Sequence, residues 1–148
     1  MSKHGTAVTT KKLFSRSTTI IILIQTEAQR IWNLLIDAAG YPDWNSTVVS
    51  IDGTIQQGET IKLKSTLAPE RVFKLKVKEM TAPQKLAWGD AMGTRTYTLT
   101  PQPSGVTLFT MTETIGGPLF PLFAHKIPSF DAAFEHFAAD LKKEAERR

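Results

Sequence analysis

Between Ser46 and Gly116 the chain is a succession of short runs in which apolar and polar residues alternate, each cut off by a turn residue; from Phe130 onward apolar residues recur every three or four positions instead. This change of period constrains the fold more than any other feature. The run STVVSIDG breaks at Asp52–Gly53. ETIKLKSTL follows Gly58 and ends near Ala68–Pro69. RVFKLKVKEM places Phe73, Leu75 and Val77 on one side and Lys74, Lys76 and Lys78 on the other. QKLAWGD follows Pro83, TRTYTLT lies between Gly93 and Pro101, and VTLFTMTETI lies between Gly105 and Gly116. Strands joined by hairpin-sized gaps pair antiparallel. Phe130, Ala133, Phe134, Phe137, Ala138, Leu141 and Ala145 then form the stripe of a long amphipathic helix. Such a helix can cover the apolar face of the sheet, and a curved sheet gripping one helix tends to leave a cavity between them. The intervening GGPLFPLFAHKIP predicts a helical turn or two and a break near Pro128.

The N-terminal part adds one strand and one helix. RSTTIIILI is dense in β-branched residues and predicts a buried strand. In TEAQ, Thr26 is suited to cap a helix with Gln29 as its capping-box partner. Ile31, Leu34, Leu35 and Ala38 give that helix one buried face, and Gly40 and Pro42 stop it. The first dozen residues lack periodicity and are expected to form a flexible tail (1–12) ahead of a single domain spanning 13–148. The run IIILI is far shorter than the ~20 residues of a membrane span. The basic residues before it give a faint likeness to a signal peptide, but no clean cleavage pattern follows. The expectation is a cytoplasmic protein, monomeric or weakly dimeric.

Composition removes several chemistries. The chain has 148 residues, 41% hydrophobic and 22% charged, as in ordinary globular domains. With no cysteine, disulfides, thiolate metal sites and cysteine nucleophiles are excluded. His4, His125 and His136 carry no metal-ligand spacing, and neither a serine elbow nor a phosphate loop occurs, so no metal or cofactor is expected. The net charge of +4 comes largely from the ends, including Lys3, Lys11, Lys12, Arg16, Arg147 and Arg148; they read as frayed, solvated termini. Lys62, Lys64, Lys74, Lys76 and Lys78 could form a basic stripe on the outer face of the sheet. A solvated strand face accounts for them, and nucleic acid is not an expected partner.

The informative residues are polar groups on otherwise apolar faces. In TRTYTLT the threonines take one face, which leaves Arg95, Tyr97 and Leu99 inward; Glu113 continues the face of Phe109 and Met111; Trp88 ends a strand with Leu86 inward. If Arg95 and Glu113 both point inward, neither should stay unpaired. They could bond each other or meet a ligand's polar group. In AGYPDWNSTVVSIDG, Trp44 stands among turn residues, where its ring either plugs the end of the core or lines a cavity.

The element order resembles the START-like, or helix-grip, superfamily, which includes polyketide cyclase/dehydrase and lipid-transport families. IWNLLIDAAGYPDWNSTVVSIDGTIQQGETIKL is similar to that family's helix, YP-x-W-N turn, strand ending in glycine, and following strand. KLAWGDAMGTRTYTLTP and VTLFTMTETIGG resemble its later strands, and FEHFAADLKKEAE its closing helix. The resemblance implies an α+β fold: a seven-stranded curved antiparallel sheet around the C-terminal helix, short helices between the first two strands, and an apolar cavity. It also implies a small hydrophobic or amphipathic ligand, lipid-like or aromatic. The expected lining is Trp44, Phe73, Trp88, Arg95, Tyr97, Phe109, Met111, Phe120, Phe123, Phe130, Phe134 and Phe137, with Arg95 anchoring a carboxylate, phenolate or carbonyl. Two alternatives remain open. One is a cyclase or dehydratase using Arg95, Tyr97, Glu113 and His125. The other is a protein- or membrane-interaction module built on a sheet edge or the basic ends.

Overall fold

The computed structural model describes residues 4–147. Among these residues eight strands form one open antiparallel sheet: β1 (Val8–Lys11), β2 (Ser15–Ile24), β3 (Val48–Asp52), β4 (Thr60–Ser65), β5 (Ala68–Thr81), β6 (Lys85–Gly89), β7 (Gly93–Gln102) and β8 (Val106–Gly116). Their order across the sheet is β1-β2-β8-β7-β6-β5-β4-β3. Helices α1 (Ala28–Ile36) and α2 (Tyr41–Trp44) join β2 to β3; α3 (Phe120–Phe123) and the long α4 (Asp131–Ala145) follow β8.

The strand count differs from the expected seven because β1 forms within the segment expected as a tail. It pairs with β2, Val8 opposite Thr19 and Lys11 opposite Arg16. Polar strands such as VTTK carry little periodic signal, yet the free edge of β2 supplies partners for their backbone groups. Thr9 also hydrogen-bonds Asp131 at the start of α4, and His4 Nε2 accepts the Leu23 amide at 2.7 Å. Residues 1–3 of that tail lie outside the described residues.

The inward face follows from the period of two. On β2, Thr18, Ile20, Ile22 and Ile24 are buried, whereas Leu23 is 40% exposed; the strand is buried on one face only. Ile20 lies opposite Met111 and Ile22 opposite Phe109; Tyr97 lies opposite Met111 and Leu99 opposite Phe109. The outer face carries hydroxyls, with Thr19 and Thr112 bonded at 3.1 Å. Helix α4 buries Phe134, Phe137, Ala138, Leu141 and Ala145 against this inner face, the stripe its spacing predicted. Its end is held by Arg30, which donates to the Ala145 carbonyl at 2.6 Å, and by Glu146, which accepts the Gln25 amide at 2.8 Å.

Two local expectations are corrected. Glu27, not Thr26, precedes α1, and no side chain caps it; Gln29 bonds Asn33 one turn on. The segment YPDW is a helical turn, α2, with Pro42 in its first turn, a position where proline's missing N–H has no intrahelical partner to lose.

Arg16 is also corrected. It is 9% exposed, not part of a frayed basic end. Its guanidinium donates to the carbonyls of Ile127 (3.2 Å) and Pro128 (2.7 Å) and lies 5.1 Å from the Phe130 ring. It therefore fixes the turn that aims α4 across the sheet. Arg16→Met keeps apolar bulk but strips both carbonyls of their charged donor. The expected cost is about 2 kcal/mol, measured by urea unfolding, with faster amide exchange at the start of α4. An unchanged unfolding midpoint would show that this clamp does not hold the helix.

Candidate functional site

Between the inner face of β3–β8 and the N-terminal half of α4 the sheet and helix do not close. They leave a cleft of about 430 Å³. The sheet side supplies Leu63, Phe73, Leu75, Trp88, Arg95, Met111, Glu113 and Ile115. The helix and the turn before it supply Lys126, Ile127, Pro128, Phe130, Ala133, Phe134 and Phe137. At one rim the chain turns tightly from β6 to β7: a Cβ on Gly89 would lie 2.2 Å from the Gly93 carbonyl oxygen, so only glycine permits that approach. Asp90 caps the turn, accepting the amides of Met92 and Gly93 at 2.9 and 3.0 Å.

Arg95 and Glu113 sit directly opposite on β7 and β8. Arg95 Nε donates to Glu113 Oε1 at 2.8 Å, and their side chains are 20% and 18% exposed. The guanidinium carbon lies 5.0 Å from the Phe134 ring centroid, a cation–π approach. Burial works against the charge of Arg95, but Tyr97 and Glu113 beside it outweigh burial, and its pKa rises above the ordinary arginine value. The sequence left open whether these two residues pair; in the structure they do, on the wall of the cleft.

Several expected lining residues are placed elsewhere. Tyr97 and Phe109 point inward but lie under Phe137, whose ring stacks on them at 5.7 and 6.4 Å; both are buried in the closed part of the core. Trp44 packs between Tyr41 (5.0 Å) and Phe137 (6.0 Å), so it plugs the core and does not border the cleft. Phe120 and Phe123 pack edge-to-face in α3 at 5.8 Å and do not border it either. Among the catalytic candidates, Tyr97 is held from the cleft, and its hydroxyl is pushed up to about 12, chiefly by burial, with Arg95 partly opposing the shift. His125 is exposed and borders a second, smaller pocket beside Arg16. Phe73, Trp88, Arg95, Met111, Glu113, Phe130, Phe134 and Phe137 are brought together.

Sequence reasoning missed Leu63, Leu75, Arg71 and the turn Lys126–Pro128. Leu63 and Leu75 alternate on strands and were findable by the rule that found Phe73. Arg71, 4.6 Å over the Phe73 ring, and the 126–128 turn carry no periodic signal; Arg16 places the latter. Among the described residues, no group of three or more His, Asp or Glu side chains gathers as a metal site, and no helix is long and apolar enough to cross a membrane.

A family model described as polyketide cyclase / dehydrase and lipid transport matches residues 15–146. The chain belongs to that family. Solved structures agree with this polyketide cyclase / dehydrase fold. A conserved protein of unknown function from Enterococcus faecalis superposes with a TM-score of 0.70 at 15% identity, covering 95% of this chain and 77% of its own. A START superfamily protein from Mycobacterium smegmatis gives 0.64 at 15% identity, covering 88% and 97%. DynU16, from the dynemicin biosynthetic locus, gives 0.68 at 13% identity, covering 88% of this chain and 47% of its own. At these identities the likeness is one of fold. No curated protein matches the chain.

Proposed function

We propose that the chain binds one small apolar or amphipathic molecule, lipid-like or aromatic, between the sheet and α4, with Arg95 as its polar anchor. The observation that carries this reading is an open cleft of about 430 Å³ walled by Phe73, Trp88, Phe130, Phe134 and Phe137, with one part-buried ion pair set into the apolar wall. Ligand pockets are of this size and have this make-up: a largely apolar lining and a few placed polar groups. Membership of a family described by cyclisation, dehydration and lipid transport supports the same reading.

Native mass spectrometry of freshly purified protein, followed by solvent extraction, tests it. The expected result is a discrete adduct of small-molecule mass that is lost on Phe134→Asp, which puts a charge on the cleft wall. A clean apo mass that no added apolar probe shifts would overturn the proposal.

A further inference from the structure

The Arg95–Glu113 pair sets two opposite charges into the apolar wall of the cleft. Arg95 presents its guanidinium at the wall with its charge already matched by Glu113 at 2.8 Å. Glu113 is bonded through Oε1; its Oε2 forms no hydrogen bond with the described residues. The residue beside that oxygen is Gly93, where an added Cβ would crowd it at 3.2 Å. The other charged lining residues, Arg71, Asp90 and Lys126, are all exposed, so water screens them. The wall therefore offers a donor and an acceptor side by side, with little net charge behind them.

From this we infer that the ligand's polar head is an uncharged hydroxyl on an apolar body, and that Glu113 selects against carboxylates. The inference rests on the ligand-binding reading above. A hydroxyl has one O–H and two lone pairs; it accepts from Arg95 and donates to Glu113 in the same pose. A carboxylate reaching Arg95 brings a second negative charge next to Glu113 in a partly desolvated site, where like charges oppose each other strongly. It also has no proton to give the free oxygen of Glu113. A phenol head stays protonated there for the same reason, since a neighbouring carboxylate disfavours its anion. This separates the carboxylate and phenolate heads that Arg95 alone would favour from the neutral head that the pair favours.

Three probes that share one body decide it: butylbenzene, 4-butylphenol and 4-butylbenzoate, titrated at pH 7.5 and followed by the fluorescence of Trp88 on the cleft wall and by calorimetry. The expected result is that the phenol binds at least tenfold tighter than the benzoate and more tightly than butylbenzene. In Glu113→Gln, whose amide oxygen can still accept from Arg95, the benzoate should gain about tenfold and the gap between it and the phenol should close. Benzoate binding as tight as phenol in the unaltered protein overturns the inference and leaves ligand binding standing. So does a phenol no better than butylbenzene. If none of the three binds, butylbenzene included, the ligand-binding reading falls and the inference with it. The comparison in the unaltered protein needs no variant to fold.

Discussion

Phe137→Ala is expected to destabilise the protein by about 4 kcal/mol, the middle of the range for removing a buried phenylalanine. Phe137 is 1% exposed, and its ring meets those of Tyr41 (6.4 Å), Trp44 (6.0 Å), Tyr97 (5.7 Å) and Phe109 (6.4 Å). These partners come from α2, β7 and β8, so the ring joins the helix to the sheet and to the plug beneath it. Around so many fixed aromatic neighbours a truncated side chain leaves a cavity that cannot collapse. With a urea dependence of about 2 kcal/mol per molar, the midpoint should fall by about 2 M. Phe73→Ala is the contrast: Phe73 is half-buried on the cleft wall, already faces open space, and should cost less than half as much. Equal costs for the two would mean that the aromatic cluster is not what ties α4 to the sheet.

Breaking the ion pair from one side should be nearly as damaging, and breaking it from both sides should not. Glu113→Leu leaves the Arg95 charge without its partner at a site where the side chain is four-fifths covered; the expected loss is about 2–3 kcal/mol, below the full cost of an orphaned charge in a dry interior. Arg95→Met should lose a similar amount, from the stranded carboxylate and the lost approach to Phe134. The double variant Arg95→Met/Glu113→Leu should return to within about 1 kcal/mol of the unaltered protein, because well-packed apolar side chains replace such pairs at little net cost. The coupling should also change little with added salt, unlike that of an exposed pair. If the two single losses simply add, the residues are neighbours without being energetic partners, and the basis for head-group selection by Glu113 weakens with them. Its stability is thus separable from its selectivity: the double variant should stay folded while losing the preference for a hydroxyl head.

Much of this was readable in the chain because strand alternation is a local property. Within VTLFTMTETI the sequence left open a one-residue slip that would swap Phe109, Met111 and Glu113 for Leu108, Thr110 and Thr112; in the structure Phe109 and Met111 are the buried ones. The alternation also marked Arg95 and Glu113 as polar residues that would need partners if they faced inward, and the 3.6-residue period fixed the buried stripe of α4. What the alternation could not say is which inward residues border the cleft and which lie in closed core.

That division depends on where α4 lands, and residues more than a hundred positions away decide it: Arg16, grouped with the basic ends in the sequence, holds the carbonyls of Ile127 and Pro128. With the helix so aimed, Phe137 stacks over Tyr97 and Phe109 and closes them off, while Phe134, packed on the Arg95 guanidinium, and Phe130, three and seven residues earlier, wall the opening beside Arg95 and Glu113. The eighth strand has the same origin, since VTTK becomes a strand only because β2 offers an unpaired edge. Sequence by itself marked seven of the eight strands, the long closing helix and the alternation within each strand, all set by side-chain period within a single element. The tertiary structure alone decided the cleft, because a cavity is a property of the space between elements, and its walls are chosen by contacts that no local pattern encodes.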